Sequence, residues 1–494
     1  MKKFLSVILA TFMIVCSFSF VGCTPTDNDS GVLRICNCED YIDEALIERF
    51  EQETGITVEY STYGTNENLY NELVINPNSY DLVVPSEYMI QKLAVEGRLK
   101  KLDLSQVPNY QTYLSSYIKD KFESIQFTVE EGEYKNEQVN LSQFMVGYMW
   151  GTMGWVYNTK VDGIEQSVKS WYGPFENSNL RKKITIKDAV RDSYLVGLAM
   201  IYQDEMYAKN NTQITEILNR TDKTSIQKVQ EKLTSLKPYL YGFEVDSGKN
   251  DIILGNINAY VAWSGDAAYA IDVASGKVED EDGSVIEENK RRSLSYSIPE
   301  EGSNVWFDGL VMPAGSKNDE AVYKFLDFIC DPVNVYDNMN YIGYTSVIGG
   351  DDIFNGIAVE LFDESADLAP GEGIELDLSY FFGTSGNYTI TVSEEGYGRA
   401  IAQYPTADIV ERCAVMNYFK NDALMDINDM WEQVKGETFP VWLILLIVGL
   451  VILLAVVIIL VRNKDKIKWF KLPENEKTRL EKKGYTVIKK EEIL

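Results

Sequence analysis

The chain has 494 residues, a formal net charge of −29, six cysteines and no histidine. The missing histidine excludes Ser–His and Cys–His nucleophilic catalysis and removes the commonest zinc ligand. The negative charge disfavours nucleic acids and anionic lipid head groups as partners, and it attracts cations at low salt.

The first 23 residues are predicted to be a signal peptide. Two lysines precede an apolar run over residues 4–21, and Gly22 and Cys23 follow it. The sequence FVGC resembles the lipobox of bacterial lipoproteins, which implies a diacylglycerol on Cys23 after cleavage. An ordinary secretory signal, with an incidental Cys23, is the alternative. Residues 24–30 are predicted to be a flexible tether.

Strand and helix patterns alternate after the tether. Strands are predicted at 33–37, 56–60 and 80–85, and helices at 43–55, 65–74 and 86–97. Gly55 is typical of a helix end, and Ser86 of an N-cap. This alternation favours an α/β fold, and a region this long is expected to form two lobes.

Two cysteines lie in the first predicted strand, directly before a pair of acids. The spacing of Cys36 and Cys38 is compatible with a metal site or a disulfide, but we favour small, partly buried strand residues. Glu39 and Asp40 follow where the strand ends and a helix begins. That is a common place for ligand-binding groups in α/β sheets.

A second apolar stretch, residues 440–461, contains no charge. At ~1.5 Å rise per residue its 22 residues span roughly 33 Å, enough to cross a bilayer. A buried core helix is the alternative. The tail, residues 462–494, has 11 basic and 6 acidic residues, so it is predicted to be cytoplasmic and residues 24–439 to lie outside. Without the +2 of the signal and the +5 of the tail, the remainder carries −36.

Several longer motifs occur in an order that is known from one family. They are CEDYIDEALIERFEQETGITVEYSTYGTNENLYNEL, YDLVVPSEYMIQKLAVEGRLKKLD, YMWGTMGWVYN, KDAVRDSYLVGLA, GNINAYVAWSGDAAYA, NVWFDGLVMPAGSKNDEAVYKFLDFICDP and YIGYTS. Together they resemble the spermidine/putrescine-binding proteins of ABC importers over about 31–435. The resemblance implies a type II periplasmic-binding-protein fold, α/β in both lobes, with a hinge. Lobe 1 would comprise 31–146 and 307–350, and lobe 2 would comprise 147–306 and 351–436.

The resemblance also implies a set of substrate-binding residues. Matched by position, they are Asp40, Tyr41, Ser86, Tyr88, Asp188, Asp192, Trp263, Trp306, Asp308 and Tyr344, with a one-residue offset at Asp188. The family's acid directly before the tyrosine is Asp40, so we predict that Asp40 points inward and Glu39 toward solvent.

Two positions depart from the family pattern. Cys38 stands where the family has an aromatic residue, and the late glutamine falls near Met416 or Asn417 without a match. Ligand affinity and the choice between spermidine and putrescine are therefore open.

The implied residues suit a polyamine, which is a methylene chain with an ammonium at each end. Such a ligand needs carboxylates for its ends and aromatic faces between them. The resemblance thus implies a monomeric, membrane-anchored polyamine-binding component of an ABC importer, whose partners are a permease and its ATPase. It implies no cofactor, no metal and no enzymatic activity.

Three other functions stay open from the residues alone. Paired carboxylates could hydrolyse glycosides without histidine. The region before the apolar stretch could instead be a membrane-anchored sensor ectodomain for a small cationic ligand. A third possibility is iron(III) held by tyrosines and aspartates in a protein of the same fold.

Overall fold

The computed structural model describes residues 31–207, 209, 211–277, 283–369, 371–383, 388–436, 449 and 472–483. Residues 1–431 and 432–494 form two separate compact units. The predicted signal peptide with Cys23, the tether, and the predicted span at 440–461 apart from residue 449 lie outside the described residues. No helix within the described ranges is both long and apolar enough to cross a bilayer.

The described strands of the first unit form a mixed sheet and two small antiparallel sheets of two strands each. Strands β1 to β15 are, in chain order, Val32–Cys38, Thr57–Tyr63, Leu82–Val83, Gln126–Thr128, Gln138–Asn140, Met145–Asn158, Ile184–Lys187, Gly242–Glu244, Ala259–Trp263, Leu294–Ser297, Ser303–Val311, Thr345–Ser346, Ile374–Asp377, Thr389–Val392 and Cys413–Ala414. The main sheet has the order β2-β1-β3-β11-β6-β9-β7-β8, and β10, β12 and β15 pair beside this path. Parallel pairs occupy both ends of this order, and the antiparallel strands β11 and β6 lie between them.

The described residues contain helices α1 to α22. In chain order they are Glu44–Thr54, Asn66–Ile75, Glu87–Val95, Pro108–Tyr113, Ser116–Ser124, Ile164–Ser167, Gly173–Glu176, Val190–Ile201, Gln203–Met206, Asn211–Leu218, Lys223–Leu236, Gly248–Leu254, Ser264–Ser275, Asp319–Ile329, Pro332–Ile342, Asp351–Ile353, Glu360–Phe362, Ser379–Phe382, Glu394–Gln403, Ala407–Val410, Asn421–Lys435 and Glu474–Glu481. A π-helical turn, Phe354–Val359, joins α16 to α17. The described residues therefore confirm the α/β class.

The first strand–helix unit follows the sequence pattern closely. Asp43 accepts a hydrogen bond from the backbone N–H of Ala45 and so caps α1, and Gly55 ends the helix in the left-handed conformation. Both Cys36 and Cys38 lie in β1, Cys36 buried and Cys38 half-buried, and both are free thiols. The predicted strand residues are thus confirmed. The strand predicted at 80–85 is shorter in the structure, because only Leu82 and Val83 pair with the sheet.

The two long central strands position an acid. Every residue of β6 except the last is buried, and β6 pairs with β11 in antiparallel register. This register shifts between Phe307 and Gly309, so Asp308 lies at an irregularity of the ladder. Asp308 instead forms an isolated antiparallel bridge with Ser86. Such irregularities often re-aim a side chain next to a functional site.

Candidate ligand-binding site

Several of the predicted binding residues collect where strands end and helices begin. Tyr41 follows β1, and Ser86 lies between β3 and α3. Trp263 is the last residue of β9, directly before α13, and Asp192 lies in the first turn of α8 after β7. The carboxyl ends of parallel strands are the usual ligand-binding edge of an α/β sheet.

Asp308 is the centre of the first cluster. Its Oδ2 accepts a hydrogen bond from Tyr41 Oη at 2.6 Å, and the side chain of Ser86 donates a second one. Ser86 Oγ accepts from Asn66 Nδ2 at 3.0 Å, which leaves its hydroxyl hydrogen for Asp308. Burial raises the pKa of Asp308 to about 6, although both hydrogen bonds oppose this shift. No Lys or Arg of the described ranges pairs with Asp308, so its charge is uncompensated within them.

The Ser86 hydroxyl does not cap the helix as predicted. Ser86 occupies the N-cap position of α3, but its side chain forms no capping hydrogen bond. Its backbone N–H donates to Asn66 Oδ1 at 3.0 Å, while its Oγ accepts from the amide of the same asparagine. The hydroxyl is thereby directed to Asp308 instead of to the helix.

Aromatic rings extend the cluster away from Asp308. The rings of Tyr41 and Tyr344 meet edge to face at 5.1 Å, and Trp306 meets Tyr344 at 5.7 Å. Tyr148 packs on Tyr41 at 5.4 Å, and its hydroxyl donates to the Tyr41 carbonyl at 2.6 Å. Burial raises the pKa values of Tyr41 and Tyr344 well above the usual range, so both hydroxyls are neutral donors.

Tyr344 leads to a second acid, Asp266. Its hydroxyl donates to Asp266 Oδ1 at 2.9 Å, and Lys187 Nζ lies 3.2 Å from Asp266 Oδ2. The Lys187 ammonium also donates to the Val245 carbonyl at 2.7 Å and lies 3.9 Å from the ring centroid of Trp263. This second acid, in contrast to Asp308, has a cation of the chain itself as its partner.

Trp263 links this pair to Asp192. Its indole N–H donates a hydrogen bond to the Asp192 carboxylate. Burial raises the pKa of Asp192 to about 6, although the charge of Lys187 and the hydrogen bond from Trp263 both oppose this shift. Gly265 permits the close approach of Tyr344. A Cβ at this position would lie 2.4 Å from the tyrosine ring, so the Ser-Gly-Asp sequence after Trp263 requires glycine there.

A buried arginine lies close to the predicted binding residue Tyr88. The guanidinium of Arg191 stacks 3.4 Å from the ring centroid of Phe419 and lies 5.2 Å from that of Tyr88. Its Nη2 donates to the Asn417 carbonyl at 2.7 Å. The Tyr88 hydroxyl donates to Glu67 Oε1 at 3.2 Å. Burial lowers the pKa of Arg191 to about 10, so its charge persists at neutral pH.

The prediction that Asp40 points inward is wrong. Both Glu39 and Asp40 are exposed. Asp40 adopts a left-handed backbone conformation with a φ of 51°, so the alternation of facing that applies to extended residues does not hold in this turn. The inward residue of the motif is the next one, Tyr41, which is 7% exposed.

Asp188 is the neighbour of Lys187 in the sequence. It is half-buried directly after β7, and its backbone N–H donates to the Glu244 carbonyl at 2.7 Å. The side chain that reaches Trp263 from this segment is that of Lys187. The contacts described above thus include eight of the ten predicted residues.

Lys187, Asp266 and Arg191 were not predicted from the sequence. Asp266 stands three residues after Trp263 in the same motif, in the first turn of α13. An acid at the start of a helix, directly after a predicted binding residue, is the signal that could have identified it. Lys187 ends a short apolar strand, where a buried charge is unusual. The departure at Cys38 leaves a half-buried thiol whose pKa burial raises to about 12. In the described ranges no group of three or more Cys, Asp or Glu residues is placed to hold a metal ion.

Comparison with known proteins identifies the family. The sequence profile described as bacterial extracellular solute-binding protein matches residues 45–350. The chain belongs to this family. Within it, this solute-binding protein is 26% identical over 345 residues to the spermidine/putrescine-binding periplasmic protein of Salmonella typhimurium, covering 70% of this chain and 84% of the relative. The putrescine-binding periplasmic protein SpuD of Pseudomonas aeruginosa is 29% identical over 310 residues, covering 62% and 75%.

A solved structure shares the fold. The spermidine/putrescine ABC transporter substrate-binding protein PotD from Streptococcus pneumoniae superposes with a TM-score of 0.55 at 25% identity. The match covers 82% of this chain and 98% of that one. The names of these relatives refer to polyamines, so the similarities do not favour the glycosidase, sensor and iron-binding alternatives.

Proposed function

We propose that this protein is the extracytoplasmic solute-binding component of an ABC importer and that it captures polyamines of the spermidine/putrescine type. The observation that carries the proposal is Asp308. Its carboxylate is half-buried, is held by two neutral donors, and has no cation partner among the described residues. Removing such a charge from water is unfavourable unless a counter-ion arrives, so the site favours a cationic ligand.

The surroundings of Asp308 fit an alkylammonium. Tyr41, Tyr344 and Trp306 form a row of rings in edge-to-face contact, which begins at the carboxylate. An ammonium next to Asp308 would gain a charge-assisted hydrogen bond, and its methylenes would cover the rings. The names of the relatives and of the structural neighbour, all of which refer to polyamines, support this ligand class.

The proposed mechanism is closure of two lobes around the ligand. Lobe 1 would comprise residues 31–146 and 307–350, and lobe 2 would comprise 147–306 and 351–436. The central strands β6 and β11 would pass between them, so both lobes contribute to one cleft. The ligand would be released unchanged to a permease that is driven by its ATPase, without catalysis and with the binding protein acting as a monomer.

The proposed location is the outer face of the cell membrane. A lipid on Cys23 and a span at 440–461 would hold the protein at both ends, with the basic tail in the cytoplasm. Two anchors would keep the binding region near its permease at a high effective concentration.

Calorimetry on the full-length protein in a mild detergent tests the ligand class. Putrescine is compared with 1,4-butanediol and succinate, which keep the four-carbon backbone but carry neutral or anionic ends. We expect heat and saturable binding with putrescine and spermidine only. Saturable binding of the diol or of succinate, without binding of either amine, would overturn the proposal.

A further inference from the structure

The ammonium of Lys187 is held as a bound cation would be held. Lys187 is 1% exposed, and its Nζ has three partners. They are the Asp266 carboxylate at 3.2 Å, the Val245 carbonyl at 2.7 Å and the ring of Trp263 at 3.9 Å. A carboxylate, a carbonyl and an indole face are the groups that recognise an alkylammonium in proteins.

These partners belong to the same chain of contacts as Asp308. Asp266 accepts from Tyr344, which packs on Tyr41, and Tyr41 donates to Asp308. The Lys187 ammonium and the Asp308 carboxylate are therefore linked through three side chains. A ligand ammonium that approached Asp266 from this side would meet a cation already in place, and two ammonium groups on one desolvated carboxylate repel each other.

We infer that Lys187 is a specificity-determining residue: its ammonium occupies, from within the chain, the cation position between Trp263 and Asp266. The cleft then holds one ligand ammonium strongly, at Asp308, and gains little from each additional one. This inference rests on the proposed function and narrows its substrate class to short amines with one dominant ammonium contact. A fixed like charge is an effective way to disfavour a competing ligand.

Arg191 is a second buried cation near the predicted binding residues. Its guanidinium lies 5.2 Å from the Tyr88 ring, and the Arg191 Nε and Nη1 atoms are buried without a hydrogen-bond partner. The neighbouring Asp192 carboxylate already accepts from the Trp263 indole. Arg191 is thus a buried cation beside Tyr88, but it is not part of the chain of contacts that runs from Lys187 to Asp308.

Calorimetry at 150 mM salt with n-butylamine, putrescine and spermidine tests the inference. The decisive quantity is the preference for putrescine over butylamine, because the two ligands differ by one ammonium. It is measured for the full-length wild type, Lys187→Met and Lys187→Gln. The Lys187→Gln variant keeps hydrogen-bond donors without the charge, and it is used if the Lys187→Met variant does not fold. Lys183→Met is the matched control, because Lys183 precedes β7 at its other end and donates to the Asn256 carbonyl at the surface.

We expect the wild type to prefer putrescine by less than about tenfold, and a Lys187 variant that folds to raise this preference at least tenfold. Spermidine should gain at least as much, and Lys183→Met should change neither preference. A preference above about a hundredfold in the wild type overturns the inference, as does a preference that stays within threefold, or falls, in the Lys187 variants. In both cases amine binding itself leaves the proposed function intact. If no amine binds to any form, the proposed function fails and the inference fails with it.

Discussion

The carboxylates at the two ends of the chain of contacts, buried Asp266 and half-buried Asp308, have opposite kinds of partner. Asp266 is paired with Lys187, whereas Asp308 has only the neutral donors Tyr41 and Ser86. The first arrangement is complete without a ligand, and the second is not. Their difference indicates which carboxylate stabilises the fold and which is kept for a cation from outside.

The largest effect is expected on stability, from removing the ion pair between Lys187 and Asp266. Lys187→Met leaves Asp266 buried without its partner and should lower the free energy of unfolding by about 3–5 kcal/mol. The double variant Lys187→Met/Asp266→Asn removes both charges and should recover most of this loss. Urea unfolding followed by tryptophan fluorescence measures both. Additive losses in the double variant would show that the pair does not act as a unit.

Substitution of Asp308, which has no cation partner in the described residues, should weaken ligand binding. Asp308→Asn removes the charge that the ligand ammonium would meet, so putrescine binding should weaken by about 2–4 kcal/mol. The control is Asp319→Asn, which removes an exposed carboxylate that pairs with Lys100. Calorimetry that gives the Asp308 variant an affinity within threefold of wild type would place the ligand elsewhere.

The same substitution should stabilise the ligand-free protein. Burial raises the pKa of Asp308 to about 6, above the usual value of about 3.9, so the folded state binds this proton more tightly than the unfolded chain does. The corresponding stability is present at low pH and is lost as the pH rises through 6. At pH 8, Asp308→Asn should therefore raise the free energy of unfolding by about 1–3 kcal/mol. A destabilised variant would mean that the carboxylate is already compensated.

Ligand affinity should depend on pH for the same reason. An alkylammonium stays charged between pH 5 and 8, but Asp308 must lose its proton before it can pair. From Asp308 alone, putrescine affinity should fall about tenfold between pH 8 and pH 5, with the decline starting near the pKa of about 6. The raised pKa of Asp192 would deepen the decline if that carboxylate also meets the ligand. Calorimetry between pH 8 and pH 5 measures the affinity, and an affinity that does not change with pH would contradict this prediction.

The smallest effect is expected at the exposed turn after β1. Since Glu39 and Asp40 are both exposed, Glu39→Gln and Asp40→Asn should each change putrescine affinity by no more than about 0.5 kcal/mol. Asparagine also tolerates the left-handed backbone of Asp40. A clear loss in the Asp40 variant alone would restore this acid to the site.

The sequence predicted local structure where the causes are local. The first strand and the helix end at Gly55 both follow from neighbouring residues. Most of the proposed site was also predicted, because the motifs contain its tyrosines, tryptophans and acids. These predictions depend on the resemblance, since no local pattern brings Tyr41 and Asp308 together from 267 positions apart.

The remainder of the site depends on long-range packing. The partnership of Lys187 with Asp266 joins β7 to α13, and nothing near either residue in sequence predicts it. The alternation rule failed at Asp40 because the backbone turns there. The difference between a carboxylate with a cation partner and one without is thus a property of the folded structure; the sequence predicted Asp308 as a site residue but not Asp266.

A crystal structure of the protein with bound putrescine tests the central claim most directly. We predict one ligand nitrogen within hydrogen-bond distance of Asp308, with the methylenes against Tyr344 and Trp306 and with Lys187 still on Asp266. A ligand nitrogen on Asp266, with Lys187 displaced and Asp308 without a ligand contact, would contradict the account.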